Sequence, residues 1–157
     1  MSAAGARVWE DDAMKATDVL KAQHREVLAL LAELASTDDP SERRRLLDEV
    51  TDALEMHAEL EEEVFYPAIR EDGSRTADAL VLDAIDQHHV VHLILAEAPD
   101  LDPEAESFTA KMKLLEDLVR RHIEAEEREL FALAASLAES DIADLDRRRE
   151  AQTAPSP

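Results

Sequence analysis

The sequence predicts an all-α protein, an up-down-up-down four-helix bundle with a short C-terminal helix. Three observations predict it. Ala, Leu, Glu, Asp and Arg dominate the 157 residues, while β-branched runs and turn pairs are scarce. Three punctuation points, Ser36–Pro40, Glu71–Ser74 and Pro99–Pro103, cut the chain into four long segments. The connections between them are short, which makes neighbouring helices antiparallel.

The first helix is expected over about 14–36, ending at the STDDP stretch. The second spans 41–70 with Ser41 as its N-cap, and Pro67 should kink or end it. The third covers 76–98 and the fourth 103–138, each bounded by proline or by the EDGS turn. Residues 1–13 are expected to be a flexible segment, and 139–157 a short helix capped by Ser140 followed by a disordered tail. The bundle domain is thus 14–138.

Composition narrows the function. Seventeen Lys and Arg against 38 Asp and Glu give a net charge of −21. Such a chain lacks the clustered cations that bind nucleic acid or anionic membrane. With no cysteine there are no disulfides, thiolate nucleophiles, iron–sulfur clusters or thiolate zinc sites. Two glycines leave no phosphate-binding loop of the usual kinds. Residues 1–10 have no apolar core of a signal peptide, and no apolar run approaches about 18 residues. The expectation is a cytoplasmic protein without nucleic-acid or membrane partners, a monomer or weak homodimer.

The chain repeats itself. Ala22–Leu34 resembles Asp86–Ala98, superimposing His24 on His88, and His57-Ala-Glu-Leu-Glu61-Glu62 matches His122-Ile-Glu-Ala-Glu126-Glu127. Each half therefore carries one helix with a histidine and one with His-x-x-x-Glu. These residues interrupt the apolar stripes. His57 and Glu61 lie within the stripe Leu47, Val50, Leu54, Leu60, Val64. His122 and Glu126 lie within Met112, Leu115, Val119, Ile123, Leu130. His24 falls between Leu20 and Val27, His88 seven after Val81, and His92 seven after Ile85. Residues four apart stack on one helix face, so His57/Glu61, His88/His92 and His122/Glu126 all aim at the bundle axis.

Carboxylates in an apolar interior are costly unless paired or metal-bound, and no Lys or Arg is expected beside them. A bound dication resolves this, and mixed imidazole and carboxylate donors favour iron. Seven groups exceed one tetrahedral zinc and suit two six-coordinate ions about 3.5–4 Å apart. With Glu61 and Glu126 bridging and one oxo or hydroxo bridge, His88, His92 and His122 complete one iron. His24 and His57 leave the other with one open position for O₂ or peroxide. Without His92 each iron has two histidines and an open position, a layout better suited to peroxide chemistry.

The series His24, His57-x-x-x-Glu61, His88-x-x-x-His92, His122-x-x-x-Glu126 resembles the hemerythrin-like, HHE cation-binding family over all four helices. The resemblance implies a non-haem diiron centre whose members serve as O₂ carriers and sensors, iron-responsive domains, or proteins of oxidative and nitrosative stress. It places His24 and His57 on the iron with the open site, His88, His92 and His122 on the saturated iron, and Glu61 and Glu126 as bridges. One departure is the final pair, since O₂-carrying hemerythrins usually have His-x-x-x-x-Asp. The function expected is O₂ binding, storage or sensing. The alternatives are a catalase-like or peroxidase-like enzyme decomposing hydrogen peroxide or handling nitric oxide, and a structural module held together by its metal. The Glu-x-x-His pattern of ferritin-like oxidases is absent, because Leu54 and Val119 stand three before the histidines.

Other side chains are read as scaffold. Glu62, Glu63 and Glu127 form a solvated acidic face, Asp86 and Glu59 lie on the surface, and His89 points about 100° from His88. Tyr66 and Phe131, each nine after a stripe histidine, are expected to pack in the core. Leu28, Leu31, Leu60, Val64 and Ile123 are expected to wall the pocket, and Trp9 to pack on the bundle. Arg43–Arg45 and Arg147–Arg149 are expected to be solvated surface.

Overall fold

The computed structural model describes residues 16–71, 74–135, 147 and 150–153. The expected N-terminal segment with Trp9, most of the expected C-terminal helix and the end of the tail lie outside the described residues. Four helical rods make up the bundle. The first is α1 (Ala16–Ser36). The second consists of α2 (Pro40–Leu60), a π-helical turn over Glu61–Phe65 and α3 (Tyr66–Arg70). The third is α4 (Arg75–Glu97), and the fourth is α5 (Glu106–Ala125), a second π turn over Glu126–Leu130 and α6 (Phe131–Ala134). Each rod packs on the next, and the first also packs on the fourth.

Local chemistry sets the ends. Asp39, not Ser41, caps α2, its carboxylate accepting from the N–H groups of Ser41 and Glu42 at 2.9 and 3.2 Å. Pro40 then occupies the first turn, where its missing N–H costs nothing. Ser74 caps α4 by accepting from the Ala77 N–H at 3.0 Å. A 3₁₀ turn over Ala98–Asp100 ends the third rod, and the fourth begins at Glu106, later than its expected start. Pro67 does not end the second rod. It falls in the first turn of α3, directly after the π turn, where no helical N–H is required of it.

Two apolar clusters fill the interior. One gathers Val27, Leu31, Val50, Val91, Phe108 and Val119. The other gathers Leu20, Val64, Phe65, Val81, Leu130 and Phe131. The four stripe histidines fall between these clusters in the chain. α1 passes from Leu20 through His24 to Val27, and the second rod returns from Val50 through His57 to Val64. The third and fourth rods repeat the alternation, as antiparallel neighbours require. The third rod is the most apolar. Over Arg75–Asp100 it is long and apolar enough, by length and composition, to cross a membrane.

Arg43 departs from expectation. It is buried, its Nε donates to the Thr37 carbonyl at 2.8 Å and its Nη1 to the Pro103 carbonyl, and its guanidinium lies over the Phe108 ring. One cation thereby ties the first connection to the third, while Arg44 and Arg45 stay exposed. Arg43→Ala leaves the Pro103 carbonyl without its buried donor. The expected loss is about 2 kcal/mol of unfolding free energy, read from urea titration, against less than about 0.5 kcal/mol for Arg44→Ala.

Candidate metal centre

Two groups of potential metal-binding side chains form between the clusters. His24, His57, Glu61 and Glu126 make one, and Glu61, His88, His122 and Glu126 the other, with the ligand atoms of each group within 4.8 Å of one another. Glu61 Oε1 lies 2.9 Å from His57 Nε2 and 3.1 Å from His88 Nε2. Glu126 lies 3.4 Å from His24 Nε2 through Oε1 and 3.1 Å from His122 Nε2 through Oε2. Each carboxylate therefore sits between the two histidine pairs. Both are buried, and Glu61 has no exposure at all.

The protons of His57, His122 and His24 are fixed from outside. His57 Nδ1 lies 2.7 Å from Gln23 Oε1, and His122 Nδ1 lies 2.7 Å from Gln87 Oε1. An amide oxygen only accepts, so each Nδ1 donates and each Nε2 carries a lone pair pointing inward. His24 Nδ1 meets Glu127 Oε1 at 3.0 Å, and His88 Nδ1 faces Glu62 Oε2 at 3.4 Å. The internal repeat is thus reproduced in the supports. The glutamine before the histidine of one rod orients the histidine of the next, and the glutamate after each shared carboxylate faces a histidine of the other half. Asp86 and Glu59 are exposed, as expected, whereas Glu62 and Glu127, expected to be only a solvated face, turn one carboxylate oxygen toward a histidine.

This arrangement fits a metal better than it fits empty packing. His24 Nε2 and His57 Nε2 are 3.1 Å apart, and His88 Nε2 and His122 Nε2 are 3.2 Å apart. Inward lone pairs at that spacing repel unless a proton or cation lies between them. The spacing is close to the roughly 3 Å separating adjacent donors on one ion with bonds of about 2.1 Å. Glu61 Oε2 and Glu126 Oε1 are buried and have no hydrogen-bond partner, as a carboxylate reserved for a cation would be.

When no cation is bound, protons on the imidazoles take its place beside the buried carboxylates. Burial pushes the Glu61 carboxyl upward, but the His57 charge and hydrogen bonds from His122, His57 and His88 outweigh it and hold the carboxyl well below its usual range. Burial and the neighbouring imidazoles lower His122, against the opposing pull of Glu61. For His88, burial is outweighed by Glu61 and Glu62, and the imidazole is raised.

The π turns were not foreseen. Tyr66 N–H donates to the Glu61 carbonyl and Phe131 N–H to the Glu126 carbonyl, each five residues back. In a regular helix a side chain nine residues after His57 points about 180° away from it. The extra residue of a π turn removes about 100° of that difference. Tyr66 then lies against the His88 ring, with centroids 5.7 Å apart, and Phe131 stacks on His24 at the same distance. The signal available in the sequence was the aromatic repeated out of phase in both halves. Tyr66 does more than pack, because its hydroxyl donates to Glu126 Oε2 at 2.6 Å. Burial, followed by the Glu61 charge, pushes its own ionisation far up, so it stays a proton donor.

His92 does not join the other six residues. It is exposed, standing one helical turn, about 6 Å, beyond His88 and outside the layer. Together with Glu55 it forms the outer rim of a cavity of about 60 Å³ whose inner end is the four histidine rings. The walls are Val27, Leu54, Val91, Leu95, Val119 and Ile123. Of the expected wall residues only Ile123 is among them. Leu31 belongs to one apolar cluster and Leu60 and Val64 to the other, while Leu28 packs at the edge of the first.

Comparison with known proteins agrees with this architecture. A protein named DNA nickase from Nostoc sp. is 30% identical over 119 residues, which are 76% of this chain and 33% of that protein, so the chain spans about a third of its relative's length. The crystal structure of a hemerythrin HHE cation-binding domain-containing protein from Mycobacterium kansasii superimposes with a TM-score of 0.77, covering 88% of this chain and 85% of that one at 20% identity, a likeness of fold. The profile of the hemerythrin HHE cation-binding domain matches residues 15–134, and the chain belongs to that family.

Proposed function

We propose that His24, His57, His88, His122, Glu61 and Glu126 hold two iron ions, and that the protein uses them in the cytoplasm on a small oxidant, hydrogen peroxide foremost. The observation that carries this reading is the symmetry of the donor set. Each histidine pair supplies two nitrogens, both carboxylates are shared, and His92 stands apart on the cavity rim. Each ion then keeps a position that protein does not fill. A bound iron pair supplies the electron exchange by which two molecules of hydrogen peroxide become two of water and one of O₂.

The residues of this chain contribute the rest. Gln23 and Gln87 keep the Nε2 lone pairs of His57 and His122 directed inward. Tyr66 holds a proton at Glu126 Oε2, beside only one half of the site, since its counterpart Phe131 has no hydroxyl. The apolar cavity admits a neutral molecule of a few heavy atoms and disfavours charged ones. That same cavity also favours a second reading, reversible O₂ binding. A nucleic-acid partner is no part of the proposal, given a net charge of −21.

The deciding experiment uses iron-loaded protein. An oxygen electrode should record O₂ evolution on adding peroxide. No evolution, with a visible band that appears in air and vanishes on degassing, would overturn the peroxide reading in favour of O₂ binding. Two variants refine it. His92→Ala is expected to retain the full metal content by elemental analysis, and loss of one ion per chain would restore His92 as a ligand. Tyr66→Phe is expected to keep both ions while slowing peroxide turnover about 10-fold or more, the scale of a lost positioned proton donor. An unchanged rate would reduce Tyr66 to packing.

A further inference from the structure

α4 carries two faces. One holds His88 toward the centre. The other presents Ala79, Leu82, Asp86, His89, Leu93 and Ala96, all exposed, with Leu82 at 51% and Leu93 at 50%. Their spacing of three, four, three, four and three keeps them on one stripe about 100° wide, the a/d pattern of a coiled-coil seam. Val90, 44% exposed, borders it. The stripe also reads alike from both ends: alanine, leucine, a polar residue, a polar residue, leucine, alanine.

We propose that a second copy of this chain docks here, α4 against α4 in antiparallel orientation about a two-fold axis between Asp86 and His89. An antiparallel seam sets each a position opposite a d position of the partner helix. Leu82 then meets the partner's Leu93, Ala79 meets the partner's Ala96, and Asp86 meets the partner's His89. All three pairings recur on the other side of the axis, as an isologous interface requires. The polar pair fixes the register. Asp86 only accepts and an imidazole N–H donates, so this alignment satisfies both, whereas a parallel one sets Asp86 against Asp86. The alanines let the ends of the two helices approach.

The contact is modest. Eighteen residues of helix run about 27 Å and bury roughly 300–500 Å² per copy, below the roughly 800 Å² of a standard interface. The pairing is therefore reversible, with dissociation in the micromolar range or weaker. Repulsion between two chains of charge −21 opposes it, though charges beyond about 8 Å are screened at physiological salt. His89 also lines an outer groove with Glu55, Glu59, Glu62 and Glu63, so docking roofs part of the surface above His88.

The full, metal-loaded chain has no cysteine, which makes crosslinking diagnostic. Mixing Leu82→Cys with Leu93→Cys chains under mild oxidation should give a disulfide dimer, while each variant alone should not. Sedimentation over roughly 10 µM to 1 mM should show a monomer–dimer equilibrium that Leu93→Glu shifts to monomer. Asp86→His should weaken the dimer at least several-fold, and Asp86→His combined with His89→Asp should restore it. The metal content of these variants is the folding control. The proposal is overturned if the native chain stays monomeric, if Leu82→Cys alone crosslinks, if the dimer survives Leu93→Glu, or if neutral phosphatidylcholine vesicles capture the chain through this stripe in place of dimerisation.

Discussion

Under the proposed two-ion site, Glu61→Ala is expected to empty both metal positions, and Glu126→Ala the same. In a site built of two independent metals, deleting one ligand empties one position. Here Glu61 and Glu126 belong to both groups of donors, so neither ion keeps its set when one carboxylate goes. Each histidine pair would be left with two nitrogens and a single carboxylate. Loss of a shared ligand also removes the charge that offsets two dications close together. Elemental analysis after iron reconstitution should fall from about two ions per chain to well below one. Far-UV circular dichroism should stay helical, because the two apolar clusters are untouched. A Glu61→Ala protein that still carries two irons would disprove the sharing of these carboxylates. By contrast, Gln87→Leu removes only the partner of His122 Nδ1 and should weaken metal binding 10- to 100-fold without abolishing it.

Chelation should lower the melting temperature by roughly 10–20 °C. Metal bound at a thousand times its dissociation constant adds about 4 kcal/mol to the folded state, and a domain of this size shifts by a few degrees for each kcal/mol. The structure explains why the effect is large. Without a cation, Glu61 Oε2 and Glu126 Oε1 are buried with no hydrogen-bond partner, and two pairs of imidazole lone pairs face one another. Each such unsatisfied group costs about 1–3 kcal/mol. Differential scanning calorimetry of iron-loaded and chelator-treated protein tests this directly. Identical transitions would mean that the layer between the clusters is stable without metal.

Much of the site was legible because helices are periodic. Residues at three, four and seven share a face, so His24, His57, Glu61, His88, His122 and Glu126 declared themselves as polar intrusions into apolar stripes. The internal repeat made coincidence a poor explanation for them. His92 obeyed the same periodicity and still fell outside. Periodicity gives the direction of a side chain about the helix, but it does not say at what height along the axis the layer lies. That height is set by how neighbouring rods slide against each other, which depends on packing between distant segments.

The sequence by itself determined the helical class, the four rods, the facing of the six donors and the acidity of the surface, since each follows from local propensity, spacing or charge. Only the tertiary structure decided the remainder. It set Gln23, Gln87 and Glu127 in hydrogen bonds behind His57, His122 and His24, and Glu62 near His88, because a contact across rods needs two helices at a fixed distance and phase. The π turns at Glu61 and Glu126 are likewise a compromise, in which regular i+4 bonding yields locally so that Tyr66 and Phe131 reach the interior. Arg43 was drawn inward by carbonyls some six and sixty residues away. In each case the energy lies in a contact between parts of the chain whose proximity no local rule encodes.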